Sequence, residues 1–547
     1  MQGLMMDIPL LITSIMRHAE RNHGKREIVS VTGDNPLHRY TFTDCFARTR
    51  RLANALERLG ASADARIATL AWNDYRHMEL YFGISCSGRV CHTINPRLFE
   101  EQLVYIINHA EDEFIFVDVM FVPLLEKVAD QCPNVKGYVV MTDTANMPDT
   151  SLSNVMCYET LLAQEDDAYA WPELDENTAA GLCYTSGTTG NPKGALYSHR
   201  STVLHTYGQA LVDTMGVSAL DCVLPIVPMF HVGAWGFPFA GAMVGTKFVM
   251  PGPKLSDPEL LVDLINNEGV TVSAGVPTVW LPVLKYLREN GRNLKPLRKT
   301  AIGGSACPLS MMEEFRDLYN VQVIHAWGMT ETSPLGTANN HTVESAKLEG
   351  EELQYHLQSA GRSVPGVEIK ITDEDGNELP WNGVAFGALK IRGPWVCSEY
   401  YKLDQPSDAH AEAGWFNTGD VATIDAEGFI RITDRTKDVI KSGGEWISSI
   451  DLENVAIGHP AVAEAAVIGI QHPKWQERPL LVVVRADGES VEPHELIRYF
   501  DGKIAKWWTP DDVAFVDELP HTATGKISKL KLRQTFVDYR FPDAEGG

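Results

Sequence analysis

The densest set of residues able to do chemistry is the run Tyr184-Thr185-Ser186-Gly187-Thr188-Thr189-Gly190-Asn191-Pro192-Lys193-Gly194. Its glycines let backbone N–H groups approach phosphate oxygens, its hydroxyls donate further hydrogen bonds, and Lys193 supplies positive charge. The spacing from Gly187 to Lys193 matches a Walker A loop, but Pro192 stands where that motif has Gly and Gly194 where it has a Mg²⁺-binding hydroxyl. On composition alone a flexible turn explains the run equally well. Other reactive side chains are dispersed: His231 in an apolar stretch, Glu331, Asp420 and Lys526. Taken singly, each reads as a core histidine or a solvated charge. The nine cysteines form no CxxC pair and no metal-ligand spacing, which predicts reduced thiols in a cytosolic protein.

Order along the chain says more than any single motif. After TSGTTGNPKG come Pro228-Met229-Phe230-His231, Gly303-Gly304-Ser305-Ala306, Trp327-Gly328-Met329-Thr330-Glu331 and Gly414-Trp415-Phe416-Asn417-Thr418-Gly419-Asp420. Then follow Asp434-Arg435-Thr436-Lys437-Asp438-Val439-Ile440-Lys441-Ser442-Gly443-Gly444-Glu445 and Thr524-Gly525-Lys526. This ordered set, spanning nearly the whole chain, resembles the adenylate-forming superfamily of acyl-CoA synthetases, firefly luciferases and peptide-synthetase adenylation domains.

The resemblance implies ATP, Mg²⁺ and coenzyme A as cofactors and a small carboxylic acid as substrate. It assigns ATP binding to Thr185, Ser186, Gly187, Thr188, Thr189, Lys193, Gly304, Ser305, Ala306, His325, Trp327, Gly328, Met329, Thr330, Glu331, Asp420, Ile432, Arg435 and Lys526. Glu331 and Thr185 would hold the metal, a hard cation that takes oxygen donors. Thr330 would bond the α-phosphate, Asp420 would accept from the ribose hydroxyls, and Gly304 with Ser305 would lie against adenine. Catalytic roles fall to Lys526, Thr330 and His231, with Lys526 stabilising the charge that builds where carboxylate and phosphate meet. The acyl group would lie against His231, Val232, Trp235, Gly303 and Gly304, with Trp235 either shortening the pocket or simply filling core. Coenzyme A would meet Lys441, Ser442, Gly443, Gly444, Glu445 and Trp446, and Asp434 would be the hinge of a rotating small domain, at an exposed junction. A plain linker in which Asp434 pairs with Arg435 or Lys437 is the other reading.

The acceptor has to be reasoned separately, because the superfamily shares only the first half-reaction. With no carrier-protein or reductase segment after Gly547, coenzyme A is the expected acceptor; a ligase that loads a carrier protein and a non-catalytic acyl- or nucleotide-binding protein are the alternatives. Ile94-Asn95-Pro96-Arg97-Leu98, Trp235 and Gly444-Glu445-Trp446-Ile447-Ser448 look like bacterial medium-chain acyl-CoA ligases and methylmercaptopropionate:CoA ligases. A medium-chain fatty acid or a short thioether acid such as 3-methylmercaptopropionate is therefore the expected substrate.

These residues need a scaffold, and 547 residues are too many for one simple core. Short apolar runs alternate with helical patterns at 65–72, 75–87 and 90–95, which predicts parallel βαβ layers. Further buried strands are predicted at 114–117, 138–141, 222–227, 270–274, 299–302 and 321–326. After Gly361 a β-rich subdomain follows, with strands at 367–371, 388–391 and 429–433. The expected class is α/β: a large N-terminal domain at 1–433 with this subdomain, then a small mobile α+β domain at 434–547 with strands at 463–470 and 480–485 and a helix at 493–505. An amphipathic first helix is expected within residues 1–23. A net charge of -25 disfavours nucleic acid and anionic membrane, and no apolar run approaches the ~18 residues that span a bilayer. A cytoplasmic protein without integral membrane association is expected, and a homodimer is one assembly the sequence permits.

Overall fold

The computed structural model describes residues 1, 3–185, 191–403, 405, 407–443, 445–521 and 527–541, with backbone alone at 445 and 446. Two sheets dominate the N-terminal part. One has seven strands, in the order Val155–Cys157, Gly137–Val140, Asp112–Val117, Arg66–Leu70, Val90–Thr93, Ala179–Tyr184 and Gly194–Ser198. All its pairings are parallel except the last. The central strands of this sheet are buried on both faces, the pattern a helix-covered parallel sheet imposes. The other sheet has nine strands, and its parallel centre includes Cys222–Pro225, Val272–Gly275, Lys299–Ile302 and Gln322–Gly328.

Beyond these lies an antiparallel four-stranded sheet of Glu368–Thr372, Phe386–Arg392, Phe416–Ile424 and Ile430–Arg435. Here burial alternates along the strands, as expected where one face packs and the other is wet. A last, five-stranded sheet is built on the pair Val462–His472 and Gln476–Arg485, with the short hairpin Ile440–Ser442 and Glu445–Ile447 at one edge. The α/β class, the β-rich subdomain and the small α+β terminal unit thus match the sequence reading.

The first helix, Ile12–His23, falls within the stretch expected for it, and Met5, Met6 and Ile8 before it stay exposed. Two local expectations need correction. The helix expected over 493–505 ends at Tyr499, where Phe500 caps it and Gly502 turns the chain with φ +73°. Asp434 is not at an exposed junction. It sits inside the strand Ile430–Arg435 opposite Val421 and is 1% exposed.

Candidate active site

The parallel strands of both large sheets end at one place, and the cavity lies there, as the open α/β rule predicts. Its volume is about 480 Å³. Thr185 follows the strand Ala179–Tyr184, Gly303 and Gly304 follow Lys299–Ile302, and Ala326 to Glu331 close the strand Gln322–Gly328 and its following turn. Asn417, Thr418, Gly419 and Arg435 come from the four-stranded sheet, and Lys437, Asp438 and Ile527 from the C-terminal side.

The base of the phosphate loop is closed by backbone: Thr185 N–H donates to Lys193 O at 2.9 Å, beside a 3.4 Å contact from Lys193 N–H to Thr185 Oγ1. Residues 186–190, expected to cradle phosphate, lie outside the described residues, as do Lys526 and Gly444 and the side chains of Glu445 and Trp446. Lys193 Nζ lies 4.9 Å from the ring centre of Tyr400 and 3.4 Å from Ser407 Oγ. Tyr400 Oη donates to Glu331 Oε1 at 2.5 Å. Burial and this carboxylate push the Tyr400 phenol well above its ordinary range, so it remains a donor. Glu331, though 5% exposed, lines the cavity; Thr330 lines it too, its carbonyl accepting from Tyr197 Oη at 2.7 Å.

Asp420 is more committed than the sequence suggested. Trp327 Nε1 donates to Oδ2 at 2.9 Å, and Arg435 Nε pairs with Oδ1 at 2.8 Å. Asp420 is 3% exposed and does not itself line the cavity, so what it does here is place the two wall residues Trp327 and Arg435. Arg435 is positioned first of all by Asp420 and by Thr418 O at 3.2 Å.

The apolar end is formed by Met215, Val232, Trp235, Phe237 and Leu335, and His231 and Gly303 line the cavity as well. Trp235 rides on an unusual turn: Val232, Gly233, Ala234, Trp235 and Gly236 all have positive φ, from 38° to 81°.

Not every expected residue reaches this cavity. Ser305 is exposed and Ala306 partly so, and neither lines it. His325 stands behind the wall, bonded through Nδ1 to Ser359 O at 2.8 Å, with burial pushing its pKa down to about 4. Ile432 packs into the main core. Lys441, Ser442 and Gly443 also lie off the cavity: Ser442 pairs with Gln476, and Gly443 N–H donates to Trp475 O at 2.8 Å. Asp434 accepts from Ser449 N–H at 2.8 Å and from its hydroxyl at 2.5 Å, and Lys529 reaches that hydroxyl and Glu453. Tyr400 and Gln209, which do line the cavity, escaped the sequence reading because a lone Tyr or Gln has no spacing signal, while Asn417 lay inside a motif that assigned it no role.

A model of the AMP-binding enzyme family matches residues 15–401, and one of the AMP-binding enzyme C-terminal domain matches residues 451–526. The chain belongs to the AMP-binding enzyme family. It is 52% identical over 98% of its length, and 99% of the relative's, to 3-methylmercaptopropionyl-CoA ligase of Ruegeria lacuscaerulensis. It is 49% identical, over 98% of both chains, to a medium-chain-fatty-acid–CoA ligase of Ectopseudomonas oleovorans. Among solved structures, ATP-bound MatB from Rhodopseudomonas palustris superposes with TM-score 0.80 at 25% identity, covering 97% of this chain and 99% of that one. The anthranilate CoA ligase AuaEII with anthranoyl-AMP shares the fold, with TM-score 0.85 at 24% identity and coverage of 97% and 98%.

Proposed function

We propose that this enzyme, an ATP-dependent acid–CoA ligase working through an acyl adenylate, takes a medium-chain fatty acid or a short thioether acid of similar size. One observation carries the reading: a single cavity joins a cation-lined polar end, at Lys193, Arg435 and Lys437, to an apolar end closed by Trp235, Phe237 and Met215. An anionic nucleotide and an apolar tail can meet there with the carboxylate between them, near His231. Relatives acting on a thioether acid and on medium-chain acids are similar to this chain to nearly the same degree, which supports a tail of that size without separating the two.

In the first step a carboxylate oxygen of the acid attacks the α-phosphorus of ATP, the bond to the β-phosphate oxygen breaks, and pyrophosphate leaves. In the second the sulfur of coenzyme A attacks the acyl carbon, the thiol gives up its proton, and AMP leaves. Lys193, Arg435 and Lys437 are the described cations that would offset phosphate charge, while Thr330 would bond the α-phosphate. Ile527 lines the cavity, which supports giving its neighbour Lys526 the place between carboxylate and α-phosphate. Mg²⁺ fits Glu331: among the described residues there is no cluster of three metal-binding side chains, and one buried carboxylate plus nucleotide oxygens is the donor set this cation takes. When bound, the cation neutralises phosphate charge. Lys441 to Trp446 would serve coenzyme A only after the C-terminal part rotates about Asp434, because Lys441, Ser442 and Gly443 stand off the cavity in this arrangement.

The test is a panel of straight-chain and thioether acids assayed for AMP release with and without coenzyme A. Acid-dependent exchange of pyrophosphate into ATP without coenzyme A, and acyl-CoA with AMP in its presence, are expected. Formation of ADP with an acyl phosphate would overturn the mechanism, and strict dependence on a carrier protein would overturn the acceptor.

A further inference from the structure

The apolar end of the cavity contains one polar side chain that the proposed chemistry does not use. Gln209, in the helix His199–Ala210, lines the cavity with Met215, Trp235, Phe237 and Leu335, and it is 1% exposed. Neither its Oε1 nor its Nε2 has a hydrogen-bond partner among the described residues. Two neighbouring polar groups are engaged elsewhere: His205 Nε2 accepts from Leu335 N–H at 3.3 Å, and Thr214 Oγ1 donates to carbonyls of the helix end. Gly236, at φ +81°, lies against this amide: a Cβ there would stand 2.6 Å from Gln209 Oε1 and 2.7 Å from His205 Cε1, so glycine lets the turn carrying Trp235 approach Gln209 and His205 this closely.

A buried amide with both ends unmatched is destabilising, and a cavity meant only for hydrocarbon would have no use for it. The amide becomes satisfied when the occupant of the cavity brings an acceptor or a donor. We propose that Gln209 is a specificity-determining residue that donates from Nε2–H to a heteroatom in the acyl tail. The preferred substrate class is then an aliphatic acid with a thioether, ether or hydroxyl along its chain, over the isosteric hydrocarbon acid. This rests on the acid–CoA ligase reading above. The rejection works as it does in any site built to bond a polar group: a hydrocarbon tail leaves the amide unpaired in a closed pocket.

The experiment compares Gln209→Met, an unbranched apolar replacement of similar size, with the unaltered enzyme. Matched acids of two lengths are used: pentanoate, 3-methoxypropionate and 3-methylmercaptopropionate, and hexanoate with its oxa and thia analogues. The ratio of kcat/KM for heteroatom acid over hydrocarbon acid should fall about tenfold in the variant for the ether set and less for the thioethers, since sulfur is the weaker acceptor. The change should sit mainly in KM. Without ligand, the thermal midpoint of the variant should equal or exceed that of the parent, because an unsatisfied amide has been removed. Ratios unchanged within twofold at both lengths would overturn the proposal. So would a midpoint lowered by several degrees, which would mean the amide is satisfied within the fold. If the parent shows no acid-dependent turnover with any acid, the ligase reading fails. The role of Gln209 is then decided by the ligand-free midpoint and by whether the heteroatom acids protect the parent against heat more than the variant.

Discussion

Tyr400 uses one ring for two purposes, its hydroxyl bonded to Glu331 and its face near the Lys193 ammonium. Tyr400→Phe removes only the first, leaving a buried carboxylate short of a donor, and a hydrogen bond to a charged group contributes roughly 1.5–3 kcal/mol. We expect Tyr400→Phe to slow pyrophosphate exchange about tenfold or more, and Tyr400→Ala to slow it further because the cation contact goes too. Equal rates for Phe and Tyr would show that the hydroxyl is idle. His205 offers a test through pH. Burial pushes its pKa down to about 3, against about 6.5 in an unfolded chain. Below pH 6.5 the unfolded chain gains a proton that the folded protein does not take up until about pH 3, so stability is lost as pH falls through that window. His205→Gln lacks this dependence. Its stability deficit relative to the parent should therefore shrink by about 2 kcal/mol between pH 7.5 and pH 5, read from thermal midpoints at both. A constant gap would mean that the ring does not lose its proton on folding.

The turn from Val232 to Gly236 puts three non-glycine residues in the left-handed region next to the acyl end, where a left-handed residue costs about 1–2 kcal/mol. Such a turn persists because surrounding structure fixes it, and it places a half-buried Trp235 across the apolar end of the cavity. Trp235→Ala should shift preference toward longer acids, measured as kcat/KM along a chain-length series; a uniform fall with a lower midpoint would make Trp235 mere filling. Nothing in the run His231 to Gly236 reveals this geometry, since a β-branched Val at φ 38° contradicts local preference and tertiary contacts must impose it. The strands were legible for the opposite reason. Gly137–Val140 and the 114–117 part of Asp112–Val117 are buried, largely apolar runs, so pattern and packing agree. Asp434 lay between these cases. Its motif marked the junction, but its burial came from Ser449 and Lys529, partners that no local pattern announces. Asp434→Ala would strand Lys529 beside Ser449 with one carboxylate fewer. We expect a midpoint several degrees lower, together with a larger loss in thioester formation than in adenylate formation. An equal loss in both steps would remove Asp434 from the hinge.

At the scale of the whole chain, the sheets and the ordered motifs placed the cavity at the strand ends, whereas the sequence could not say which arrangement of the C-terminal part would be seen. That part contributes Lys437, Asp438 and Ile527 to the cavity, while Ser442 pairs with Gln476 and Gly443 bonds Trp475 O, off the cavity. The three cations at the polar end belong to a molecule of net charge -25. An incoming polyanion therefore meets repulsion from the exterior before attraction from the cleft. Dissolved salt acts unevenly on the two: it screens exposed charges beyond about 8 Å at physiological ionic strength, but shields a partly buried cleft much less. Raising ionic strength from low values to about 0.15 M at constant free Mg²⁺ should consequently lower KM for ATP, by about twofold, the reverse of the usual weakening of charge-steered encounter. A KM that climbs steadily with salt would mean that the cleft's field reaches past the acidic surface. Where it falls, the acidic shell is a kinetic toll gate, and the ions of the surrounding solution decide how often it opens.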